Sequence, residues 1–332
     1  MTTVLEIQDN CQIKSQHDEK SEFKKDVQAG LSKQQKQLTS KYFYDARGSE
    51  LFNKITTIPD YYLTQSECEI LHTNKNKISE FMAGEAFNLV ELGPGDASKT
   101  QIIMQQFLND NLTFRYTPID ISLKSLTMLM QRFDREFSNI NITPIHADYL
   151  QGLTWQSDHS HRRNIVLFLG SSIGNFGPEA TNMFFKNLWD ILHQDDLLLI
   201  GFDLKKDISV LLRAYNDSLG ITRDFNLNLL LRINRELGGN FDINKFNHYA
   251  TYNVYTNAME SYLLSKQQQS VEIESLQTKI VFEAYEPIHT EFSYKYDINL
   301  IENIAAANGF RVVKNFKDRK DYFINSLWRV EK

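Results

Sequence analysis

The sequence of 332 residues has few cysteines and no long apolar run. Cys11 and Cys68 show neither CxxC nor Cys/His spacing, and the histidines have no partner at metal-ligand spacing, so we expect no metal site and a reduced compartment. No apolar run approaches the about 20 residues of a membrane span. The N-terminal residues lack the basic segment and apolar core of a secretory signal. These absences predict a cytoplasmic protein with no membrane partner.

Positive charge is scarce as well. The chain carries 36 Lys and Arg against 42 Asp and Glu, a net charge of −6. Because nucleic-acid binding needs clustered Lys and Arg to neutralise phosphates, we expect no nucleic-acid partner. A hydrophobic fraction of 42% with 12% aromatic residues is ample for a core. We therefore expect a globular protein that acts on a small molecule, and we take it to be a monomer.

The central part of the chain alternates between strand-like and helical patterns. Strand-like segments are 87–92, 114–120, 142–145, 164–169 and 197–202, and helical segments are 98–109, 122–137 and 178–193. Continuous apolar strands separated by helices indicate a parallel sheet that is covered on both faces. The sequence therefore predicts an α/β fold with a doubly wound, Rossmann-like sheet.

Residues 1–61 and 203–286 depart from this alternation, and they suggest an N-terminal arm and a second, smaller domain. Residues 1–21 are polar and weakly patterned, which predicts a flexible arm. Long helical patterns at 208–219 and 225–237 are followed by alternating segments up to 286. We predict that 62–202 and 287–332 form the α/β domain, and that 22–61 and 203–286 form the second domain.

A glycine turn follows the first strand of the predicted sheet. Gly93 and Gly95 lie between an apolar segment and a helical pattern, an arrangement in which backbone N–H groups face a nucleotide-like ligand. Glu91 precedes the turn, and Ala97 and Ser98 stand where a third glycine would lie. These features favour a nucleoside without a pyrophosphate, so we expect S-adenosylmethionine rather than NAD.

Acidic residues end the next two strands. Asp120 is placed to accept hydrogen bonds from both ribose hydroxyls, and Asp148 from an adenine amino group while Tyr149 packs against the ring. The alternatives are structural, because Asp120 could cap the helix that begins near Ser122 and Asp148 could be an ordinary loop acid. Asn175 follows the strand 164–169, and its amide suits a zwitterionic substrate. It could equally cap the helix that begins at Pro178.

Several segments together resemble the histidine-specific, S-adenosylmethionine-dependent Nα-methyltransferases of ergothioneine biosynthesis. The similarity is collinear from about residue 22 to the C-terminus. The segments that carry it are KYFYDARGSELFNKITTIPDYYLTQSE, LVELGPGDASKT, IVLFLGSSIGNF, VLLRAYND, FNHYATYN and HTEFSYKY. The resemblance implies a class I methyltransferase domain with a second, substrate-binding domain, and an active site in the cleft between them.

The resemblance also implies a role for particular residues. It assigns cofactor binding to Gly93, Lys99, Asp120, Asp148 and Tyr149, to which the glycine turn itself adds Gly95. It assigns substrate binding to Tyr44, Tyr61, Asn175, Tyr215, Glu291 and Ser293, with the imidazole held by the last two. Tyr61 and Asn175 are the candidates for orienting the reacting amine. Without the resemblance, each tyrosine would be interpreted as core packing, since the chain has 15 of them.

The chain departs from the family pattern in two places. Its glycine turn contains Pro94, which removes a backbone donor, and Asp96, which adds a negative charge. A methionine of the family's imidazole pocket corresponds to Ser261 here, although Met259 is two residues away. We therefore keep two alternatives to histidine Nα-methylation. One is N-methylation of another aromatic amino acid, a modified histidine or a peptide N-terminus, and the other is a non-catalytic cofactor-binding module.

Overall fold

A computed structural model of the chain describes residues 4–6, 16–137 and 140–332. Its α-helices are α1 (Gln16–Leu31), α2 (Ala46–Ile55), α3 (Tyr62–Met82), α4 (Ser98–Asn109), α5 (Leu123–Glu136), α6 (Tyr149–Asp158), α7 (Pro178–Ile191), α8 (Ile208–Tyr215), α9 (Ile221–Leu237) and α10 (Ile298–Ala307). Its strands are β1 (Leu5–Glu6), β2 (Phe87–Leu92), β3 (Phe114–Asp120), β4 (Asn141–Ile142), β5 (Ile145–His146), β6 (Asn164–Phe168), β7 (Leu197–Asp203), β8 (Phe246–Asn253), β9 (Ala258–Ser265), β10 (Gln269–Ile273), β11 (Thr278–Phe282), β12 (Pro287–Tyr294), β13 (Phe310–Lys317) and β14 (Phe323–Val330). None of the described helices has the length and apolar composition of a membrane span.

The first of two compact units contains the large sheet and comprises Gln65–Lys205, Tyr296–Lys332 and the short strand β1. The strand order is β1-β5-β3-β2-β6-β7-β14-β13, and β4 also pairs with β3. Strands β3, β2, β6 and β7 are parallel, whereas β14 is antiparallel to both β7 and β13. The strand order reverses at β2, and ligands of such sheets bind at this point, beyond the carboxyl ends of the strands.

The predicted α/β class with a doubly wound parallel sheet is confirmed. Every residue of β2, β6 and β7 is buried, as expected for strands that are covered on both faces. The predicted strand 142–145 is interrupted, because Thr143 and Pro144 separate β4 from β5 and proline cannot donate a backbone hydrogen bond.

The second unit runs from α1 to Thr64 and includes Lys206–Lys295. It contains a three-stranded antiparallel sheet in the order β12-β9-β8 and the hairpin β10-β11. Helix α9 contacts α2, β8 and β9 and lies at the centre of this unit. Its buried residues Leu230 and Ile233 belong to one core with Phe23 of α1, Leu263 of β9 and Ile288 of β12.

The structure differs from the sequence expectations at three boundaries. Strand β12 pairs with β9, so 287–295 belongs to the second unit rather than to the α/β domain. Helix α8 ends at Tyr215, because the Asp217 carboxylate accepts hydrogen bonds from the first backbone N–H groups of α9. Of the predicted flexible arm, 1–3 and 7–15 lie outside the described residues, while 16–21 are helical.

Candidate active site

The glycine turn between β2 and α4 has the backbone conformation that glycine favours. Gly93 and Gly95 have φ values of 68° and 56°, in the left-handed region. A Cβ atom on Gly93 would lie 2.7 Å from the Tyr149 hydroxyl oxygen, whereas a Cβ on Gly95 would meet nothing within 4 Å. The structure therefore brings Tyr149 against Gly93 and leaves open space beside Gly95.

Glu91, the acid before the turn, is engaged inside the unit. One carboxylate oxygen accepts from the Thr100 hydroxyl of α4 and the other from the Tyr116 hydroxyl of β3. Burial raises the pKa of Glu91 to about 7, although these hydroxyls and the nearby Lys99 oppose the rise. Glu91 therefore ties α4 to the sheet, and each of its carboxylate oxygens already has a hydroxyl partner within the unit.

Asp120 ends β3 as expected, whereas Asp148 lies two residues after the end of β5, and the two acids differ in environment. Asp120 accepts from the Ser122 backbone N–H at 2.8 Å, and burial raises its pKa to about 6. Helix α5 is capped by Ser122 itself, so Asp120 is not the helix cap. Exposed Asp148 caps α6, accepting from the backbone N–H groups of Leu150 and Gln151 at 3.0 Å each.

Tyr149 is the first residue of α6, a helix that the sequence patterns did not predict. Its ring packs edge-on against Phe168 of β6, with 5.6 Å between centroids. Burial and the nearby Asp120 raise the pKa of its hydroxyl well above the usual range. Tyr149 is therefore placed beside both the glycine turn and Asp120.

Lys99 has a buried acidic partner that sequence reasoning missed. Its Nζ lies 2.7 Å from an oxygen of Glu67, a residue of α3 that is fully buried. Burial alone would lower the pKa of Lys99, but the Glu67 carboxylate outweighs it and raises the pKa. Glu67 also accepts from the Gly170 backbone N–H at 2.9 Å and from the Asn325 amide at 2.9 Å. Its position among the buried Leu63, Ile70 and Leu71 of one helix face was the available signal.

Asn175 follows β6 at the end of a short 3₁₀ helix, Ser172–Asn175. Gly177 is the N-cap of α7, with Pro178 at its first position, so Asn175 does not cap this helix. The side chain of Asn175 is partly exposed. Asn175 thus lies beyond the carboxyl end of β6, the strand beside β2 where the order of the sheet reverses.

In the second unit, Glu291 and Ser293 lie on one face of β12. They pair with Ser261 and Met259 of β9, and paired residues of antiparallel strands point to the same face. Burial raises the pKa of Glu291 to about 7, opposed by Lys295 and by a 3.4 Å hydrogen bond from the Ser261 hydroxyl. Both candidates for the family's pocket methionine, Ser261 and Met259, therefore share this face with Glu291.

Tyr215 of α8 meets Ser293 through hydrogen bonds that include a buried lysine. The Tyr215 hydroxyl donates to Ser293 Oγ at 2.6 Å, and Lys295 Nζ donates to both oxygens, at 2.9 Å and 2.7 Å. Sequence reasoning missed Lys295, which is only 1% exposed. The signal was its position two residues after Ser293, on the same face of an alternating strand.

Tyr44 and Tyr61 are joined through one aromatic cluster. Both rings pack edge-on against Phe52 of α2, with centroids 5.4 Å and 6.4 Å away, and Tyr44 also contacts Phe225 of α9 at 5.7 Å. Tyr44 is 40% exposed, so it is not a core residue. The structure therefore gathers Tyr44 and Tyr61 at one cluster of the second unit.

The chain is similar along most of its length to two bacterial proteins and to part of a fungal one. A histidine N-alpha-methyltransferase of Mycobacterium tuberculosis is 36% identical over 92% of this chain and 94% of its own length. Another from Mycolicibacterium smegmatis is 38% identical over 86% of this chain and 88% of its own length. Ergothioneine biosynthesis protein 1 of Neurospora crassa is 31% identical over 61% of this chain and 23% of its own length. A sequence profile described as histidine-specific methyltransferase, SAM-dependent, matches residues 23–330. The chain belongs to this family of S-adenosylmethionine-dependent, histidine-specific methyltransferases.

Proposed function

We propose that this chain transfers methyl groups from S-adenosylmethionine to the α-amino nitrogen of L-histidine, with Nα,Nα,Nα-trimethylhistidine as the product. Family membership and two relatives of nearly the same length that bear this activity in their names support the proposal. The observation that carries it is the polar face of β12. There, a carboxyl group of raised pKa, Glu291, lies beside the hydroxyl of Ser293 in the unit that contains the apolar core described above.

This face suits an imidazole ring better than an indole ring. An imidazole offers one N–H donor and one lone-pair nitrogen, whereas an indole offers only a donor. The Glu291 carboxylate can accept from the N–H, and a hydroxyl can donate to the lone pair. The partly buried location strengthens both hydrogen bonds relative to water.

The residues of the first unit fit a nucleoside cofactor. The left-handed turn at Gly93 leaves no room for a side chain beneath Tyr149, and there is open space beside Gly95. Asp120 would accept from the ribose hydroxyls, Asp148 from the adenine amino group, and Tyr149 and Lys99 would complete the site. When bound, S-adenosylmethionine supplies an electrophilic methyl group on its sulfonium.

The substrate-binding residues would act by holding a neutral amine in line for displacement. A well-oriented lone pair can account for most of the acceleration of such a reaction. Asn175 and Tyr61 would orient the amine. As its N–C bond forms, the methyl–sulfur bond of the cofactor breaks and S-adenosylhomocysteine is left. In the first two transfers the amine also loses a proton, by way of a tyrosine hydroxyl or water. Tyr215 would hold the amino-acid end of the substrate. The rings of Tyr44 and Tyr61 would stabilise the growing ammonium charge by about 0.5–2 kcal/mol.

The test is mass spectrometry of products after the protein is incubated with S-adenosylmethionine and the twenty free amino acids. We expect a gain of three methyl groups on histidine alone. Methylation of a different amino acid would overturn the assignment of histidine as the substrate and would leave the assignment as an N-methyltransferase in place. If cofactor binds and no amino acid is methylated, the proposal fails.

The monomeric state and cytoplasmic location stay predictions, and light scattering of the purified protein tests the first.

A further inference from the structure

Lys295 is a charged residue in the interior of the second unit. Its side chain is 1% exposed, and its Nζ lies 4.7 Å from the centroid of the Tyr215 ring. An ammonium group has three donors and no acceptor. Each oxygen that it contacts must therefore serve as an acceptor toward it, and Lys295 imposes this role on both Tyr215 and Ser293.

These hydrogen bonds fix the direction of the Ser293 hydroxyl hydrogen. Ser293 Oγ accepts from Lys295 at 2.7 Å and from Tyr215 at 2.6 Å. A hydroxyl oxygen has two lone pairs, and these two donors use both. The hydrogen of Ser293 must then point out of the cluster formed by Tyr215, Ser293 and Lys295.

We propose that Lys295 is a positioning residue that sets the ring specificity of the substrate site, by holding Ser293 as a hydrogen-bond donor toward the ligand. With Ser293 fixed as a donor and Glu291 as an acceptor, the β12 face recognises a ring with one N–H and one lone-pair nitrogen. The inference rests on the proposed function, since it requires that the substrate's ring binds at this face.

The charge of Lys295 also acts on Glu291, the hydrogen-bond acceptor of the β12 face. Lys295 is the charged group that lowers the pKa of Glu291, and the Ser261 hydroxyl is its hydrogen-bonding partner. A buried carboxylate is costly unless a cation or donors compensate it. Lys295 therefore keeps Glu291 able to accept, while it keeps Ser293 donating.

One analogue of histidine tests the hydrogen bond from Ser293. A pyrrole analogue keeps a ring N–H, from which Glu291 can accept, and lacks the lone-pair nitrogen to which Ser293 would donate. In the wild-type protein with S-adenosylhomocysteine added, we expect the pyrrole analogue to bind about tenfold or more weakly than histidine, because the buried Ser293 donor is left unpaired.

The variant Lys295→Met should reduce that discrimination. Histidine should bind less tightly, and its preference over the pyrrole analogue should fall to about threefold or less, since the Ser293 hydroxyl can then rotate. The pH above which histidine binds should also move upward, because Glu291 loses its cation. Lys36→Met is the matched control, since this lysine pairs with Glu286 in the same unit, away from Tyr215 and Ser293. It should keep both the wild-type preference and the wild-type pH profile.

Each outcome bears on one idea. If the wild-type protein neither binds nor methylates histidine, the proposed function fails. If it binds histidine and the pyrrole analogue equally well, this inference alone is overturned, whether or not Lys295→Met folds. If Lys295→Met folds and keeps both the preference and the pH profile, Lys295 has only a structural role and the inference is again overturned.

Discussion

Two carboxyl groups, the buried Glu91 and the half-buried Glu291, share a pKa near 7 and differ in what surrounds them. Both oxygens of Glu91 already accept from hydroxyl groups of its own unit. The hydrogen bond to Glu291 is long, 3.4 Å from Ser261, and leaves that carboxylate capacity to accept from a ligand. The pKa of a carboxyl group therefore does not by itself distinguish a structural acid from a ligand-binding acid, whereas its hydrogen-bond partners do.

The raised pKa of Glu91 predicts a pH-dependent cost to stability. Its pKa is 4.5 ordinarily and about 7 in the fold, so the folded chain binds a proton more tightly than the unfolded chain. The contribution of Glu91 to stability is thus present below about pH 4.5 and is lost as pH rises through about 7. The variant Glu91→Gln cannot ionise, and its stability relative to wild type should rise by up to about 3 kcal/mol over this window.

Urea unfolding of both proteins at several pH values checks this prediction. The comparison is between the two proteins at each pH, so the titration of other groups cancels. A difference in the free energy of unfolding that does not vary with pH would show that Glu91 does not change its protonation in the fold.

The raised pKa of Glu291 predicts a pH-dependent affinity. Nα,Nα,Nα-trimethylhistidine is the suitable ligand, because its quaternary ammonium does not titrate. Binding through the carboxylate requires that Glu291 lose its proton, which costs more as pH falls below about 7. The ratio of wild-type affinity to that of Glu291→Gln should therefore increase with pH through about 7 and then level off.

Calorimetric titration at a series of pH values gives this ratio. Dividing by the variant removes the titration of the ligand's own imidazole, whose ordinary pKa is about 6.5. A ratio that stays constant through this range would mean that Glu291 does not bind the ligand as a carboxylate.

At the scale of elements, the turn between β2 and α4 permits a matched pair of substitutions. Gly93→Ala and Gly95→Ala both place a side chain in the left-handed region, which costs about 1–2 kcal/mol for a residue other than glycine. Only the Cβ on residue 93 also approaches the Tyr149 hydroxyl, at 2.7 Å. We expect Gly93→Ala to lower the thermal unfolding midpoint more than Gly95→Ala does.

The extra loss should disappear in a Tyr149→Phe background. Phenylalanine lacks the hydroxyl oxygen that a Cβ on residue 93 would meet, so only the backbone cost should remain there. If Gly93→Ala stays more damaging than Gly95→Ala in that background, the close approach of Tyr149 is not what requires glycine at position 93.

The elements also show where sequence reasoning succeeds and where it fails. Strands β2, β6 and β7 are predictable because burial on both faces leaves a continuous apolar run. The sheet to which β12 belongs is not predictable, because the alternating pattern of β12 shows one buried face and does not identify the strand with which it pairs. Glu67 and Lys295 were missed because a charged side chain is ordinarily interpreted as exposed, and only their contacts show otherwise.

At the scale of the whole molecule, the candidate residues divide between the two units. Those proposed for the cofactor, and Asn175, lie in the first unit, whereas Tyr44, Tyr61, Tyr215, Glu291 and Ser293 lie in the second. Motifs far apart in sequence therefore come together within each unit, because each unit is built from separated chain segments. The glycine turn, the strand-end acids and Asn175 could be predicted from their positions after strands, whereas Lys99 and the substrate residues of the second unit depended on family resemblance.

This division predicts that the affinity for S-adenosylhomocysteine and the affinity for histidine can be changed separately. Asp120→Ala should weaken binding of S-adenosylhomocysteine about 10- to 100-fold, since it removes a charged acceptor from the ribose hydroxyls, and should leave the histidine-binding residues intact. Glu291→Ala should weaken the binding of histidine and leave the affinity for S-adenosylhomocysteine nearly unchanged. Asp297→Ala is the control for Asp120, because Asp297 caps α10 in the same unit. Calorimetry with each ligand on all three variants measures the separation.

Equal loss of both affinities in Glu291→Ala would contradict its assignment to histidine, and unchanged cofactor affinity in Asp120→Ala would leave that carboxylate with only its hydrogen bond to Ser122.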